Sequence, residues 1–155
     1  MAEHVWVVPK ALKRVRMWIH PEGQVLAGIY LISERPGEIP AELPIELLNK
    51  PQPFFACQCG GSEDLRFYNK NALVRMEYEA DTEDAMPADV SLNGEFSLMD
   101  GSAFTGAIRE NLPPDRRRLL DYLNVHVERF IRIFVDDGKV VLLNKAYIVR
   151  AIPTD

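Results

Sequence analysis

The sequence predicts a mainly β protein made of two tandem small β-barrels, each carrying one short helix. The first observation behind this prediction is an internal repeat: shifting the chain by 75 positions places the segment from Pro44 to Glu77 on the segment from Leu119 to Ile152 without a gap. The second is that each copy consists of short runs of β-forming residues separated by turns rich in Gly, Pro, Asp and Asn.

The repeat is carried by identical residues at fixed spacing. Seven identities fall in this register: Leu48 with Leu123, Asn49 with Asn124, Phe55 with Phe130, Asn69 with Asn144, Lys70 with Lys145, Val74 with Val149 and Arg75 with Arg150. Upstream the offset becomes 78, which pairs Pro9 with Pro87, Trp18 with Phe96, Gly23 with Gly101 and Gly28 with Gly106. We therefore predict a first barrel repeat over residues 1–80, an acidic linker over 81–89 and a second barrel repeat over 90–155.

The first elements of each copy form a hairpin. In copy one, the β-rich runs 14–20 and 24–32 flank a Pro-Glu-Gly turn that ends at Gly23. A short helix follows in copy two, because Leu119, Leu120 and Leu123 lie on one helical face. We expect Asp115 to cap its start and Asn124 to end it in a left-handed conformation.

Three further strands are predicted after each helix. In copy two they are the runs 130–135, 139–143 and 147–152, and the turn between the first two contains Gly138. Five short strands with turns are typical of a small SH3-like or Sm-like barrel.

Composition and charge restrict the function classes. The net charge is −5, yet residues 1–80 and 90–155 are both close to neutral, because the segment 81–89 carries four acidic side chains and no basic one. Neither copy has the positive field of a non-specific nucleic-acid binder. No apolar run is long enough to span a membrane, and we expect a cytoplasmic protein without membrane attachment.

Size favours a close association of the two copies. A unit of about 60 to 75 residues buries little apolar surface when alone. We therefore expect the copies to pack face to face as a pseudo-dimer within one chain, related by a pseudo-two-fold axis.

Two motifs suggest ligand chemistry, and each has a simpler explanation. Cys57 and Cys59 share one strand face and could form half of a metal site, but a second pair of ligands is missing from the sequence, so filling of the strand is the simpler explanation. The stretch from Asp89 to Gly94 matches the D-x-S-x-x-G half of the PilZ cyclic-di-GMP signature, without its Arg-x-x-x-Arg half. Turn formation where the linker enters the second barrel is the favoured explanation of that stretch.

The candidate binding residues are basic clusters and repeated Asn-Lys pairs. Arg116, Arg117 and Arg118 could contact an acidic partner or a phosphate, or could form a solvated helix face. Asn69-Lys70 and Asn144-Lys145 occur at equivalent places in both copies. They are interpreted either as turns, with the lysine pointing to water, or as paired ligand contacts.

Several short motifs of copy two resemble known families. The run from Phe96 to Gly101, the segment 104–106, the segment 120–124 and the pair Asn144-Lys145 are similar to a bacterial domain family of uncharacterised function. More distantly they resemble Sm-like barrels, whose first motif has an Asp-Gly turn, a glycine in the second strand and an Asn near the third strand. An Arg-Gly or Lys-Gly pair completes the second Sm motif, and the Asn-Lys pairs replace it here.

These observations predict a non-enzymatic binding or adaptor protein whose partner is another protein. The sequence lacks a recognisable catalytic cluster or phosphate-binding loop, and it indicates no cofactor. The alternative is a ligand or nucleic-acid sensor, either an Sm-like RNA binder or a PilZ-like cyclic-di-GMP binder.

We predict that the protein binds generic RNA or DNA very weakly at physiological salt, because both copies are near neutral. Fluorescence anisotropy with labelled single-stranded RNA and duplex DNA measures this. Micromolar binding that weakens steeply with added salt would contradict the prediction and favour the sensor alternative.

Overall fold

The structure is a computed structural model that describes residues 10–33, 40, 42–60, 64–81, 88–136 and 138–154, with the side chain of Arg116 left out of the description. The predicted acidic linker is described only at residues 81, 88 and 89, so most of it lies outside the described residues.

The two repeats contain the same series of strands and α-helices. The first repeat contains β1 (Lys10–Ile19), β2 (Gly23–Ile32), α1 (Pro44–Asn49), β3 (Phe54–Gln58), β4 (Leu65–Asn69), a 3₁₀ turn (Lys70–Ala72) and β5 (Leu73–Glu79). The second contains β6 (Val90–Leu98), β7 (Ala103–Glu110), a 3₁₀ turn (Pro114–Arg116), α2 (Leu119–Val125), β8 (Phe130–Val135), β9 (Lys139–Asn144), a 3₁₀ turn (Lys145–Tyr147) and β10 (Ile148–Pro153).

The prediction of a mainly β protein is confirmed, since 57% of the described residues are in strands. The predicted pair of tandem small barrels is not confirmed. All ten described strands belong to one antiparallel sheet that remains open, in the order β10-β6-β7-β8-β9-β5-β1-β2-β3-β4. The sheet is continuous because the last strand of the first repeat pairs with the fourth strand of the second.

The arrangement of the repeats also corrects the expectation of a face-to-face pseudo-dimer. Each repeat has the same internal order, with its fifth strand at one end and its fourth strand at the other. The repeats meet edge to edge through β5 and β9, which are different strands of the common unit. A pseudo-two-fold axis would require the same surfaces on both units, so the expected symmetry is wrong and the contact is heterologous.

Strand β9 shows why this junction forms. Successive side chains of a strand point to opposite faces. Val140 and Leu142 accordingly pack in the core of the first repeat, whereas Val141 and Leu143 pack in the core of the second. The uninterrupted apolar run from Val140 to Leu143 is therefore buried on both faces, and the two cores share this strand.

Strand β5 contributes to both cores in the same way. Its Val74 packs in the core of the second repeat, while Leu73 and Met76 pack in the core of the first. Met76 lies directly opposite Leu142 in the ladder. These two central strands therefore join the repeats by contributing side chains to both cores.

A side-chain amide reinforces the junction. Asn49, the last residue of α1, donates from Nδ2 to the carbonyl oxygen of Phe130 at 3.1 Å, and its Oδ1 accepts from the Phe130 N–H at 2.9 Å. One amide thus satisfies both main-chain groups of a residue in the other repeat.

The equivalent core positions of the two repeats are mostly buried together. Phe55, Phe130, Phe96 and Leu48 are all at most 4% exposed. Their partners Trp18 and Leu123 are half-buried and pack against the second core.

Turns and helices follow the predicted positions, with two corrections. Gly23, Gly101 and Gly138 each have a positive φ, as tight turns require. Helix α2 begins after Arg118 rather than at Asp115, which lies in the preceding 3₁₀ turn. Asn124 lies within α2 and does not end it in a left-handed conformation, since only glycines have positive φ among the described residues.

The helices are short. Among the described residues no helix has the length and apolar character needed to cross a membrane.

We predict that Asn49→Ala lowers the free energy of unfolding by about 1–3 kcal/mol, because it leaves the Phe130 N–H and carbonyl without their partner. Denaturant unfolding of the dilute protein measures this change. The matched control is Asn124→Ala at the repeat-equivalent, exposed position, which should change stability by less than about 0.5 kcal/mol. Equal effects of the two substitutions would show that the amide at Asn49 does not hold the junction.

Candidate functional site: the outer strands of the sheet

The asparagines of the two Asn-Lys pairs begin 3₁₀ turns. Asn69 Oδ1 accepts from the N–H of Asn71 at 2.8 Å, and Asn144 Oδ1 accepts from the N–H of Ala146 at 3.0 Å. Both asparagines are extended, with φ near −74°, rather than left-handed. The turn interpretation is therefore supported, through side-chain capping instead of backbone strain.

The lysines do not point to water. Lys70 is 1% exposed, and its Nζ donates to the carbonyl oxygens of Leu47 and Lys50 at 3.0 Å each. Lys145 Nζ donates to the carbonyl oxygen of His126 at the end of α2. In both repeats the ammonium group thus satisfies main-chain oxygens that a helix C-terminus leaves without partners.

Burial disfavours the charged form of both lysines. Burial lowers the pKa of Lys70 below its ordinary value, and the positive charges of Arg129 and Lys50 lower it further, whereas Glu42 opposes the shift. Burial likewise lowers the pKa of Lys145, against the opposing effect of Glu128. These ammonium groups bind helix carbonyls, so they do not present charge to a ligand.

The asparagines differ in their surroundings, although they are repeat equivalents. Asn144 is 1% exposed at the junction, and its Nδ2 donates to the carbonyl oxygens of Leu73 at 3.0 Å and Lys70 at 3.4 Å in the first repeat. Asn69 is half-buried at the end of β4. One member of the pair therefore connects the repeats and the other lies at the rim of the sheet.

The basic cluster is largely compensated by acidic side chains. Arg117 contacts Asp89 at 3.2 Å, and Arg118 contacts Asp121 at 3.1 Å across α2. The side chain of Arg116 lies outside the described residues. The two described arginines of the cluster are exposed, which fits the solvated face that the sequence suggested.

The PilZ-like stretch forms the start of a strand. Asp89 accepts from the N–H of Leu112 at 3.2 Å, and its own N–H donates to Asn111 Oδ1 at 2.8 Å. A Cβ added at Gly94 would lie 3.0 Å from Leu119 and 3.3 Å from the Ile152 carbonyl. Close packing of β6 accounts for these residues.

Cys57 and Cys59 are buried in the first core, with their sulfur atoms 3.5 Å apart. Burial is the largest cause that raises the pKa of Cys57 to about 12, and the hydrogen bond with Cys59 adds to it. Cys57 is therefore a protonated thiol at neutral pH, in accord with its interpretation as strand filling.

Strand β4, at one end of the sheet, presents apolar side chains to solvent. Leu65 is 52% exposed and Phe67 is 68% exposed. On β3, Phe54 is 53% exposed and faces Asn69 in the ladder. Edge strands of soluble proteins usually carry charges or prolines that discourage pairing, so an exposed apolar edge indicates a binding surface.

Strand β10, at the other end, has a similar character. Val149 is 63% exposed and Ile152 is 41% exposed. We call β4 and β10 the outer strands, because they are the last and first strands in the order of the described sheet.

The sequence motifs did not indicate the outer strands, because they pointed to the Asn-Lys pairs and the arginines instead. A signal was present, since the apolar residues Leu65 and Phe67 align with Val140 and Leu142. The alignment alone does not reveal that one pair is buried and the other exposed, because that depends on which strand pairs with which.

Comparisons of the chain with protein-family models, with curated proteins and with solved structures found no match. The resemblance to Sm-like domains therefore stays a prediction from the motifs.

We predict that Lys70→Met lowers the free energy of unfolding by about 1–3 kcal/mol, because it leaves the carbonyls of Leu47 and Lys50 without their charged donor. Thermal or urea unfolding measures the loss. Lys10→Met, at an exposed position at the start of β1, is the matched control and should be nearly neutral. An unchanged stability in Lys70→Met would argue that solvent satisfies these carbonyls.

Proposed function

We propose that this protein is a non-enzymatic adaptor that binds protein segments by strand addition to its outer strands. In this mode of recognition an extended segment pairs with the main chain of an edge strand, and its side chains occupy neighbouring apolar surface. The proposal includes a cytoplasmic location and the interpretation of each five-strand unit as a small Sm-like barrel.

The single observation that carries the proposal is the exposed apolar surface of β4. Phe67 and Leu65 project from the rim of the sheet, where a further strand would cover them. Exposed aromatic and aliphatic groups gain most from burial in an interface. The strand is five residues long, which suits a short extended partner segment.

The sensor alternative has less support. A nucleic-acid or nucleotide site needs basic groups that are available to phosphates. Lys70 and Lys145 donate instead to helix carbonyls, and Arg117 and Arg118 contact carboxylates. The RNA-binding and cyclic-di-GMP-binding hypotheses therefore rank second.

We predict that Phe67→Arg abolishes capture of the natural protein partner from a lysate of the source cells. The buried charge and the loss of the aromatic contact both oppose strand addition. Affinity capture followed by mass spectrometry compares the wild type, Phe67→Arg and a control, Val127→Arg. Val127 is 92% exposed and lies outside both outer strands, so the control should capture the partner as the wild type does.

Equal capture by the wild type and Phe67→Arg would show that β4 is not the binding site. Capture of nucleic acid or a nucleotide, lost after substitution of Arg117 and Arg118, would favour the sensor alternative.

A further inference from the structure

We propose that β4 of one chain pairs with β10 of a second copy of the same chain, so that chains associate head to tail. This inference rests on the proposed function and names a partner for its outer strands. The junction inside the chain provides the template. There the fifth strand of one repeat, β5, pairs with the fourth strand of the other, β9. Their repeat equivalents are β10 and β4, the two outer strands.

The apolar side chains of the junction have exposed counterparts on the outer strands. Val74 is 2% exposed, whereas its equivalent Val149 is 63% exposed. On the opposite strand, Val140 and Leu142 are completely buried. Their equivalents are the exposed residues of β4, 52% for Leu65 and 68% for Phe67. Pairing of two chains would bury the second set as the internal junction buries the first.

The hydrogen bonds of the junction also have counterparts. Asn49 binds both main-chain groups of Phe130 across the junction, and Phe130 faces Asn144 in its ladder. In the first repeat the residue that faces Asn69 is Phe54, so the equivalent pair is Asn124 with Phe54. Asn124 is exposed at the surface of α2. In a head-to-tail pair its amide would reach the main chain of Phe54 in the second copy, whose side chain is 53% exposed.

The second junction amide supports the same geometry. Asn144 Nδ2 donates to the carbonyl oxygens of Lys70 and Leu73. The equivalent donor, Asn69, would meet the carbonyl oxygens of Lys145 and Ile148 in the second copy. Both amide contacts of the internal junction thus have the required residue types available for an intermolecular one, whereas the contact of the Tyr147 hydroxyl with the Asn71 carbonyl has none, because Tyr147 aligns with Ala72.

The internal identities of the repeat point to the same conclusion. Six of the seven, at the positions of Asn49, Phe130, Asn144, Lys70, Val74 and Arg75, make contacts across the internal junction. Only one member of each identical pair is used there. Phe55 is buried in its own core and Asn69 caps its own 3₁₀ turn, but Asn124 on α2 and Val149 on β10 are exposed. Retention of these two residues is explained if they form an equivalent junction between chains.

The register of the proposed pairing follows from the template. Met76 faces Leu142 inside the chain, so Ala151 would face Phe67 between chains, and Pro153 would face Leu65. The N–H of Thr154 donates to the Asn93 carbonyl in β6. Because the main-chain groups of successive residues point to opposite sides of a strand, those of Pro153 point away from β6 and toward the second chain. Since proline has no N–H, the intermolecular ladder has one hydrogen bond fewer than the internal one, and association should be reversible and concentration dependent.

A contact between two different strands leaves one outer strand unpaired on each chain of a dimer, so further chains can add. Each chain presents one β4 and one β10, so heterologous pairing produces a closed ring or an open filament. This property distinguishes the proposal from an ordinary two-fold dimer, and it can be tested by blocking one outer strand at a time.

The experiment uses the purified full-length chain in sedimentation velocity over a wide concentration range. The wild type should form assemblies larger than a monomer as concentration rises. Phe67→Arg blocks β4 and Val149→Arg blocks β10, so each variant alone should remain monomeric. Mixing the two variants should give a one-to-one complex that grows no further, because each variant retains one competent strand. Val127→Arg should assemble as the wild type does.

Three results would overturn the proposal: a wild type that is monomeric at every concentration, single variants that dimerise by themselves, or a mixture of the two variants that does not associate. Thermal unfolding checks that the variants are folded, and Phe67→Glu and Ile152→Arg replace any variant that is not. A different result would contradict the proposed adaptor function, namely that Phe67→Arg leaves the capture of other cellular proteins unchanged.

Discussion

The pairing of β5 with β9 is the interaction on which the rest of the structure depends. It turns two five-stranded units into one sheet and places strands with apolar side chains on both faces between two cores. Val140 and Leu142 belong to the second repeat in sequence but to the core of the first in space. Since a unit of this size buries little apolar surface alone, sharing of strands between the cores is the main source of additional burial.

A closed circuit of polar contacts surrounds this pairing. Lys70 holds the C-terminus of α1, and its own carbonyl oxygen accepts from Asn144 at the end of β9. Strand β9 pairs with β8, where Phe130 receives both bonds of Asn49, the last residue of α1. The helix end, the 3₁₀ turn and two strands of the other repeat therefore position one another, and the Asn-Lys pair is a structural element of the junction.

The sequence predicted the order and type of most elements, because these depend on local patterns. The repeat located both hairpins, both helices and the glycine turns at Gly23, Gly101 and Gly138. The environment of Lys70 could not be predicted in this way. A lysine after an asparagine normally indicates solvent, and its burial depends on the carbonyls of Leu47 and Lys50 about 20 residues away. The heterologous junction was missed for a related reason, since strand pairing partners are not encoded in the pattern of a single strand.

In the second repeat the lysine contact with the helix end is present, but the equivalents of the two junction asparagines do not make junction contacts within the chain. Lys145 holds the end of α2 as Lys70 holds the end of α1. Asn124, which corresponds to the junction residue Asn49, is exposed, and Asn69, which corresponds to Asn144, lies at the rim. Capping of its own 3₁₀ turn explains the amide of Asn69, whereas no contact among the described residues explains the amide of Asn124. A duplicated unit joined head to tail leaves one fourth strand and one fifth strand at the two ends of its sheet. Residues equivalent to those that connect the two halves are therefore also available to connect whole chains.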